Sequence, residues 1–249
     1  MILGDYHTHT IYSHGKGTIL ENCAQAAEIG LKEIAVTDHG FAHLSYGVRR
    51  KRFDDMVKDI EAARLEFPQL KIFFGMECNL LDNRGGLDLR EDDLKNFDLI
   101  ILGYHRFVKA SSFGDFFKFN LPVFMSAVFK TSSKRRTANT DAFIKAMERF
   151  PVAFLSHPNF GIDVDIKELS RAAKALGVFL ELNGKRVALS RADADIILNE
   201  GAEFVVNSDA HSSERVAEVS KPLKFIEEAG ISYKNIANWD KLPVFRGRN

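Results

Sequence analysis

The residues in this chain that could do metal chemistry are spaced so that they can meet. His7 and His9 stand two apart in Asp5-Tyr6-His7-Thr8-His9-Thr10. Residues two apart on a strand share a face, so this pair can chelate one divalent ion. Asp209-Ala210-His211 repeats the spacing with an acid and an imidazole. His14, His39, Glu77, His105 and His157 complete the set. A lone histidine is more often an ordinary core or surface residue, so the weight rests on the pattern. Nine nitrogen and oxygen donors exceed the three protein ligands and water of one catalytic zinc. They suggest two or three metals sharing a carboxylate, and Glu77, with two oxygens, is the natural bridge. Without thiolate ligands, zinc, manganese, iron or cobalt fits better than copper(I).

Other polar residues are expected to support this set. Asp38 neighbours His39 and would face away from it on a regular strand. We expect it to orient a ligand imidazole rather than to bind metal. Asp5 could do the same, or form a salt bridge at the barrel mouth. His43 belongs to no strand end and reads as surface or substrate-adjacent. Arg106, beside His105, and Arg186, in Asn183-Gly184-Lys185-Arg186, could clamp phosphate oxygens. Ordinary surface charge is the alternative for both arginines.

Something must bring these residues together. Short apolar runs at 2–7, 33–37, 71–76, 99–102, 152–155, 178–182 and 204–206 read as strands. Helical spacing marks 18–29, 53–67, 140–150, 165–176, 192–200 and 214–228. Repeated strand–helix units imply an α/β fold with parallel strands. Seven units approach the number that closes a barrel; an open doubly wound sheet is the alternative. Six of the seven runs end in a potential ligand, and the loops at that end are where barrels keep their chemistry. We read 1–249 as a single domain. Its one irregular stretch, 107–137, is rich in phenylalanine, including Phe113, Phe116, Phe117, Phe119, Phe124 and Phe129. It is expected to pack on the barrel as an insertion, a lid or dimer contact being the sharper reading.

Composition narrows the function. The 249 residues balance 34 basic against 34 acidic side chains, so no global field favours nucleic acid or an anionic membrane. The basic runs at 49–52 and 134–136 read as solvated surface. Only Cys23 and Cys78 occur, with no CxxC spacing, which suits a reducing compartment. The first motif begins within five residues of Met1, leaving no room for a signal peptide, and no apolar run reaches transmembrane length. A cytoplasmic protein is expected.

Taken in order, His7-Thr8-His9, Thr37-Asp38-His39-Gly40, Glu77, His105, Ser156-His157-Pro158 and Ser208-Asp209-Ala210-His211 resemble the polymerase and histidinol phosphatase (PHP) family. The similarity is strongest to its stand-alone YcdX-like and histidinol-phosphatase-like members. It implies a distorted (β/α)7 TIM-like barrel with a trinuclear centre of Zn, Mn or Fe ions. Carried over by position, His7, His9, Glu77 and Asp209 would hold the first metal. His14, His39 and His211 would hold the second. Glu77, His105 and His157 would hold the third. The Phe-rich stretch after His105 departs from the short loop of small phosphatases.

The expected chemistry is phosphate ester hydrolysis. A metal-bound water that loses its proton near neutral pH would attack as hydroxide. Phosphoryl transfer needs mostly positioning and charge stabilisation, so no side-chain nucleophile is required. The expected substrate is a small phosphorylated metabolite, such as histidinol phosphate. A PHP-type exonuclease on DNA or RNA is the first alternative, and a non-catalytic metal-binding scaffold the second.

Overall fold

Each apolar run forms a strand, and consecutive strands pair in parallel. The computed structural model describes residues 1–125 and 131–246. Its strands are β1 (Gly4–Thr8), β2 (Glu33–Val36), β3 (Lys71–Asn79), β4 (Leu99–Gly103), β5 (Val152–Leu155), β6 (Phe179–Asn183) and β7 (Phe204–Asn207). Around this nearly closed barrel lie α1 (Ile19–Glu28), α2 (Phe53–Glu66), α3 (Ser133–Arg149), α4 (Ile166–Leu176), α5 (Arg191–Asn199) and α6 (Ser220–Ala229). Thr18 and Glu21 form a reciprocal capping box at the start of α1. Gly177 and Gly230, both at φ +67°, end α4 and α6 in the left-handed conformation that glycine adopts without strain.

Period-two alternation sets the barrel's contents. Ala35, Phe73, Leu99, Ile101 and Val205 form an apolar floor with Tyr6, Ala153, Phe154 and Phe245. Phe179 packs on this floor, and two residues beyond Ala35, Ile101, Phe179 and Val205 on the same faces stand Thr37, Gly103, Glu181 and Asn207. The interior thus changes from apolar to polar at one height. Two strands need an irregularity to achieve this. In β1, Asp5 pairs with Ile34 but Thr8 pairs with Val36. The extra residue lets Tyr6 join the floor while its neighbour His7 faces the polar layer. In β5, an equivalent shift puts both Ala153 and Phe154 in the floor.

Side chains close the seam between β1 and β7. Asn207 Oδ1 accepts from the Tyr6 amide at 2.9 Å. Asn238 Nδ2 donates to the carbonyls of Gly4 and Val206, and its Oδ1 accepts from the Val206 amide. These amides replace rungs that the backbone ladder lacks. Above them, the His9 amide donates to the Ala210 carbonyl at 2.8 Å. The first and last ligand-bearing segments are therefore joined directly.

Three details differ from the sequence expectation. β3 runs on to Asn79, so Glu77 lies within a strand rather than after it. The expected helix 214–228 is a 3-10 turn, Ser213–Arg215, followed by α6 from Ser220. The break follows from Asp5, whose carboxylate accepts from the Ala217 amide and holds Ala217 at φ +62°. Finally, α3 begins at Ser133 behind an Ser132 cap, so part of the expected insertion is helix. The rest includes short helical turns between Phe113 and Met125, of which Phe119 and Val123 are buried. Phe113, Phe116, Phe117 and Phe124 are exposed. Phe129 lies outside the described residues.

Phe245 plugs the floor, its ring centroid 4.8 Å from that of Tyr6 and 6.0–6.3 Å from those of Phe73, Phe154 and Phe179. Phe245→Ala should cost about 3–5 kcal/mol of unfolding free energy, read from urea denaturation. A loss below about 1 kcal/mol would show that the ring does not complete the core.

Candidate metal centre

Glu77 stands at the middle of the polar layer, fully buried. His157 Nε2 lies 2.9 Å from its Oε1, and His7 Nε2 and His105 Nε2 lie 3.4 Å from the same oxygen. Its Oε2 faces His39 Nδ1 at 2.8 Å and His9 Nε2 at 3.6 Å. Asp209 Oδ1 approaches His9 Nε2 at 3.2 Å and His7 Nε2 at 3.7 Å. Each of three groups has its donor atoms within 4.8 Å of one another: His7, His9 and Glu77; His9, His39 and His211; His39, Glu77 and His105. His14 joins the cluster by its ring, 4.2 Å from His211 and 4.9 Å from His39. All nine expected donors are thus brought together.

These contacts fit cations better than a hydrogen-bond network. His7 Nε2 and His9 Nε2 are 3.1 Å apart, two nitrogens aimed at one place. Buried His9 Nδ1, His14 Nδ1 and His157 Nδ1 have no hydrogen-bond partner, and His39 Nδ1 and Glu77 Oε2 face each other at 2.8 Å without hydrogen-bond alignment. Buried polar atoms are normally paired. The donors are imidazole and carboxylate, with no thiolate among them. The clusters fit several divalent metals.

The opposite ring nitrogens are held by residues that sequence reading missed. His7 Nδ1 donates to Glu181 Oε1 at 2.8 Å. His105 Nδ1 donates to Asn79 Oδ1 at 2.8 Å, and Asn79 Nδ2 donates to buried Asp88 at 2.6 Å. His211 Nδ1 donates to the Asp209 carbonyl at 2.8 Å. Each bond fixes a tautomer whose Nε2 presents a lone pair suited to a metal. Glu181 also accepts from the His157 amide and from Asn183 and Asn207. The available signal was the strand alternation itself, because Asn79 follows Glu77 by two residues and Glu181 follows Phe179 by two.

Asp38 and Asp5 support the centre differently from expectation. Asp38 accepts from the Thr10 amide at 2.7 Å, the Thr10 hydroxyl at 2.6 Å and the Ser13 hydroxyl. It pins the loop that carries His14 and orients no imidazole, because short hydroxyl donors occupy its oxygens. Asp5 accepts from the Ser208 amide and hydroxyl and from the Ala217 amide, clasping β1 to the Asp209 loop, with no salt bridge among the described residues. His43 is buried beside the cavity rather than on the surface. Its Nδ1 accepts from the Tyr46 amide at 3.0 Å.

The backbone bends to deliver two donors. His157 and Asp209 adopt φ of +32° and +52°, conformations that non-glycine residues rarely enter. Gly103 leaves needed space, since a Cβ there would stand 3.1 Å from His157 Cε1 and 3.3 Å from Glu77 Oε1.

Charge is concentrated here. Burial opposes ionisation of Glu77, but His105, His7, His39 and His157 outweigh it and hold its pKa well below the carboxylate range. Asp209 is likewise lowered against burial, chiefly by His7 and His9. Burial, with neighbouring His39 and His211, lowers His14 to about 3, leaving a neutral imidazole near pH 7. The centre opens on a cavity of about 540 Å³. Lys185, Arg106 and Arg186 line its rim with Tyr46, Phe107 and Phe160. Lys185 Nζ reaches within 3.2 Å of His211 Nε2. Both expected arginines therefore face the cavity, and Lys185 is the cation that sequence reading overlooked.

Glu77→Gln should remove more than one equivalent of bound metal after dialysis, as counted by plasma mass spectrometry. Loss of a single equivalent would mean that Glu77 serves only one ion. Asn79→Ala should weaken one equivalent about 10- to 100-fold and spare the others. Uniform weakening of every equivalent would show a general structural role instead.

Comparison with known proteins agrees with this geometry. The PHP domain model matches residues 5–185. A probable phosphatase of Thermoanaerobacter is 32% identical over 251 residues, covering 95% of this chain and 90% of the relative. The PolX DNA polymerase/3'-5' exonuclease of Bacillus subtilis is 27% identical, covering 95% of this chain but 39% of that protein. In fold, the chain resembles the histidinol phosphate phosphatase of Lactococcus lactis, solved with Zn, L-histidinol and phosphate. That likeness has a TM-score of 0.61 at 16% identity and covers 98% of this chain and 97% of the other. With its barrel, its clustered histidines and these relatives, the chain belongs to the PHP domain family and is a metal-dependent phosphoesterase.

Proposed function

We propose that the protein is a phosphomonoesterase that hydrolyses a small phosphorylated metabolite at a trinuclear centre. The observation that carries this reading is the cavity: three overlapping donor groups open on about 540 Å³, a volume suited to a small molecule. His7, His9, Glu77 and Asp209 would hold one metal, His14, His39 and His211 a second, and Glu77, His105 and His157 a third. The ions would be Zn, Mn or Fe. When bound, they supply activation of water and neutralisation of phosphoryl charge.

The chain's own residues supply positioning. Glu181, Asn79 and the Asp209 carbonyl fix three imidazoles before substrate arrives, so little reorganisation is needed during reaction. Lys185, beside His211, can hold a phosphoryl oxygen. Among the described residues that line the cavity there is no serine, threonine or cysteine, which supports direct attack by water. Cys23 and Cys78 are buried and lie outside the lining. Histidinol phosphate, whose L-histidinol and phosphate parts accompany Zn in the Lactococcus structure, is one member of this substrate class.

An exonuclease is the second reading, favoured by the similarity to PolX. Against it, two of the four basic residues at 49–52 are engaged in intramolecular contacts. Arg50 makes a two-pronged pair with Asp93 at 2.7 and 2.8 Å, and Arg52 covers the Tyr12 ring. From the 134–136 run, Arg135 donates to the Lys118 carbonyl. The compartment remains a proposal, cytoplasmic, and no helix among the described residues is long and apolar enough to cross a membrane.

Chelation should abolish phosphomonoester hydrolysis, and added Zn, Mn or Fe should restore it. Full activity after complete metal removal would sink the proposal. On a panel of phosphomonoesters, diesters and short oligonucleotides, the monoesters should be preferred. Turnover confined to oligonucleotides would select the exonuclease.

A further inference from the structure

The charges around the cavity are unequal in a way that hydrolysis alone does not explain. Among the described residues that line it, the only acids are Glu77 and Asp209, both buried and enclosed by histidines. Its cations are Lys185, Arg106 and Arg186. Among the described residues, none of the three is ion-paired with a carboxylate. Arginines elsewhere are often matched to acids, as in Arg50 with Asp93, Arg64 with Asp98 and Arg171 with Glu200.

The three cations are also held at different places. Lys185 Nζ reaches one edge of the donor cluster, 3.2 Å from His211 Nε2. The Arg186 guanidinium lies 4.9 Å above the Phe160 ring, and that ring packs 5.5 Å from His157. The ring holds the guanidinium without neutralising it. The Arg186 amide donates to Asn183 Oδ1, anchoring its backbone at the end of β6. Arg106 follows His105 directly and is exposed at the rim. With one phosphoryl group beside Lys185, Arg106 and Arg186 remain on the cavity lining to meet the leaving group.

We propose that the preferred substrate is a phosphomonoester whose leaving group carries a second anionic group and no ammonium. This rests on the phosphomonoesterase reading and narrows it. The shared chemistry is an outer carboxylate or second phosphate, bound by Arg106 and Arg186. Guanidinium pairs with either group through two parallel N–H bonds. An amine-bearing ester such as histidinol phosphate would bring a cation to a rim that offers it no acid.

Three phosphate esters of similar size test this: phosphoglycerate, glycerol phosphate and phosphoethanolamine. Their leaving groups carry a carboxylate, no charge and an ammonium. With metal-replete protein, kcat/KM should fall in that order, by about tenfold or more at each step. A bisphosphate added to the panel distinguishes the two kinds of second anion. Binding is read separately by calorimetry with the non-hydrolysable phosphonopropionate, propylphosphonate and aminopropylphosphonate, and the same order is expected. Arg186→Gln should collapse the preference for carboxylate over neutral ester towards unity.

Turnover of all three esters without charge preference would overturn this inference and leave the phosphomonoesterase intact. Equal loss on charged and neutral esters in Arg186→Gln would also overturn it, since the arginine would then serve the phosphoryl group. No turnover of any monoester would remove the phosphomonoesterase reading itself, and this inference with it.

Discussion

A buried carboxylate surrounded by imidazoles is the constraint that organises this molecule. Leaving Glu77 ionised and unpaired inside a protein would cost several kcal/mol. Five imidazole nitrogens, from His7, His9, His39, His105 and His157, approach its two oxygens. They come from four different strands or the loops that follow them, His7 and His9 sharing β1 and its end. The charge can therefore be buried only when those segments converge, so the electrostatic need and the barrel's closure are one condition. Metal binding would deepen this coupling, because a site assembled from distant segments exists only in the folded chain.

The barrel meets that condition by dividing its interior. Its floor is apolar and sealed by Phe245; its upper layer is polar and held by carboxylates and amides. The division lets hydrophobic burial supply stability without crowding the ligands. It also explains why two strands carry irregularities. At β1, regular alternation would send either Tyr6 or His7 outward. The extra residue keeps both inside, one for each layer. The polar residues behind the ligands serve the same division. Glu181 bonds His7, the His157 amide, Asn183 and Asn207, tying three parts of the site to one side chain.

Much of this was legible in the sequence for a physical reason. Parallel strands buried on both faces read as continuous apolar runs, and each run found here is a strand. The donors were legible because they follow those runs at matching offsets. Glu181 and Asn79 were harder, since a polar residue in an apolar strand carries no label saying which ring it will meet. Asp38 was misjudged for the same reason. Its position beside His39 is local information, whereas its partners Thr10 and Ser13 arrive from another loop. The 214–228 stretch has helical spacing, but a long-range bond from Asp5 overrides it at Ala217.

The rim obeys a different logic from the layer beneath it. Below, His7, His105 and His211 are each fixed twice, by the backbone that carries them and by a hydrogen bond behind the ring. At the rim, Lys185 and Arg186 leave β6 through Asn183, whose side chain caps both of their amides. Asn183 Nδ2 also donates to Asp209 at 3.2 Å and to Glu181 at 2.8 Å. One amide side chain therefore links the network behind the clustered donors to the backbone that bears two cations. Chemistry and recognition share this anchor, yet beyond it Lys185 touches the donor His211 whereas the Arg186 guanidinium lies over Phe160. Such an arrangement keeps the hydrolytic centre constant while loops and rim charges set which ester is bound.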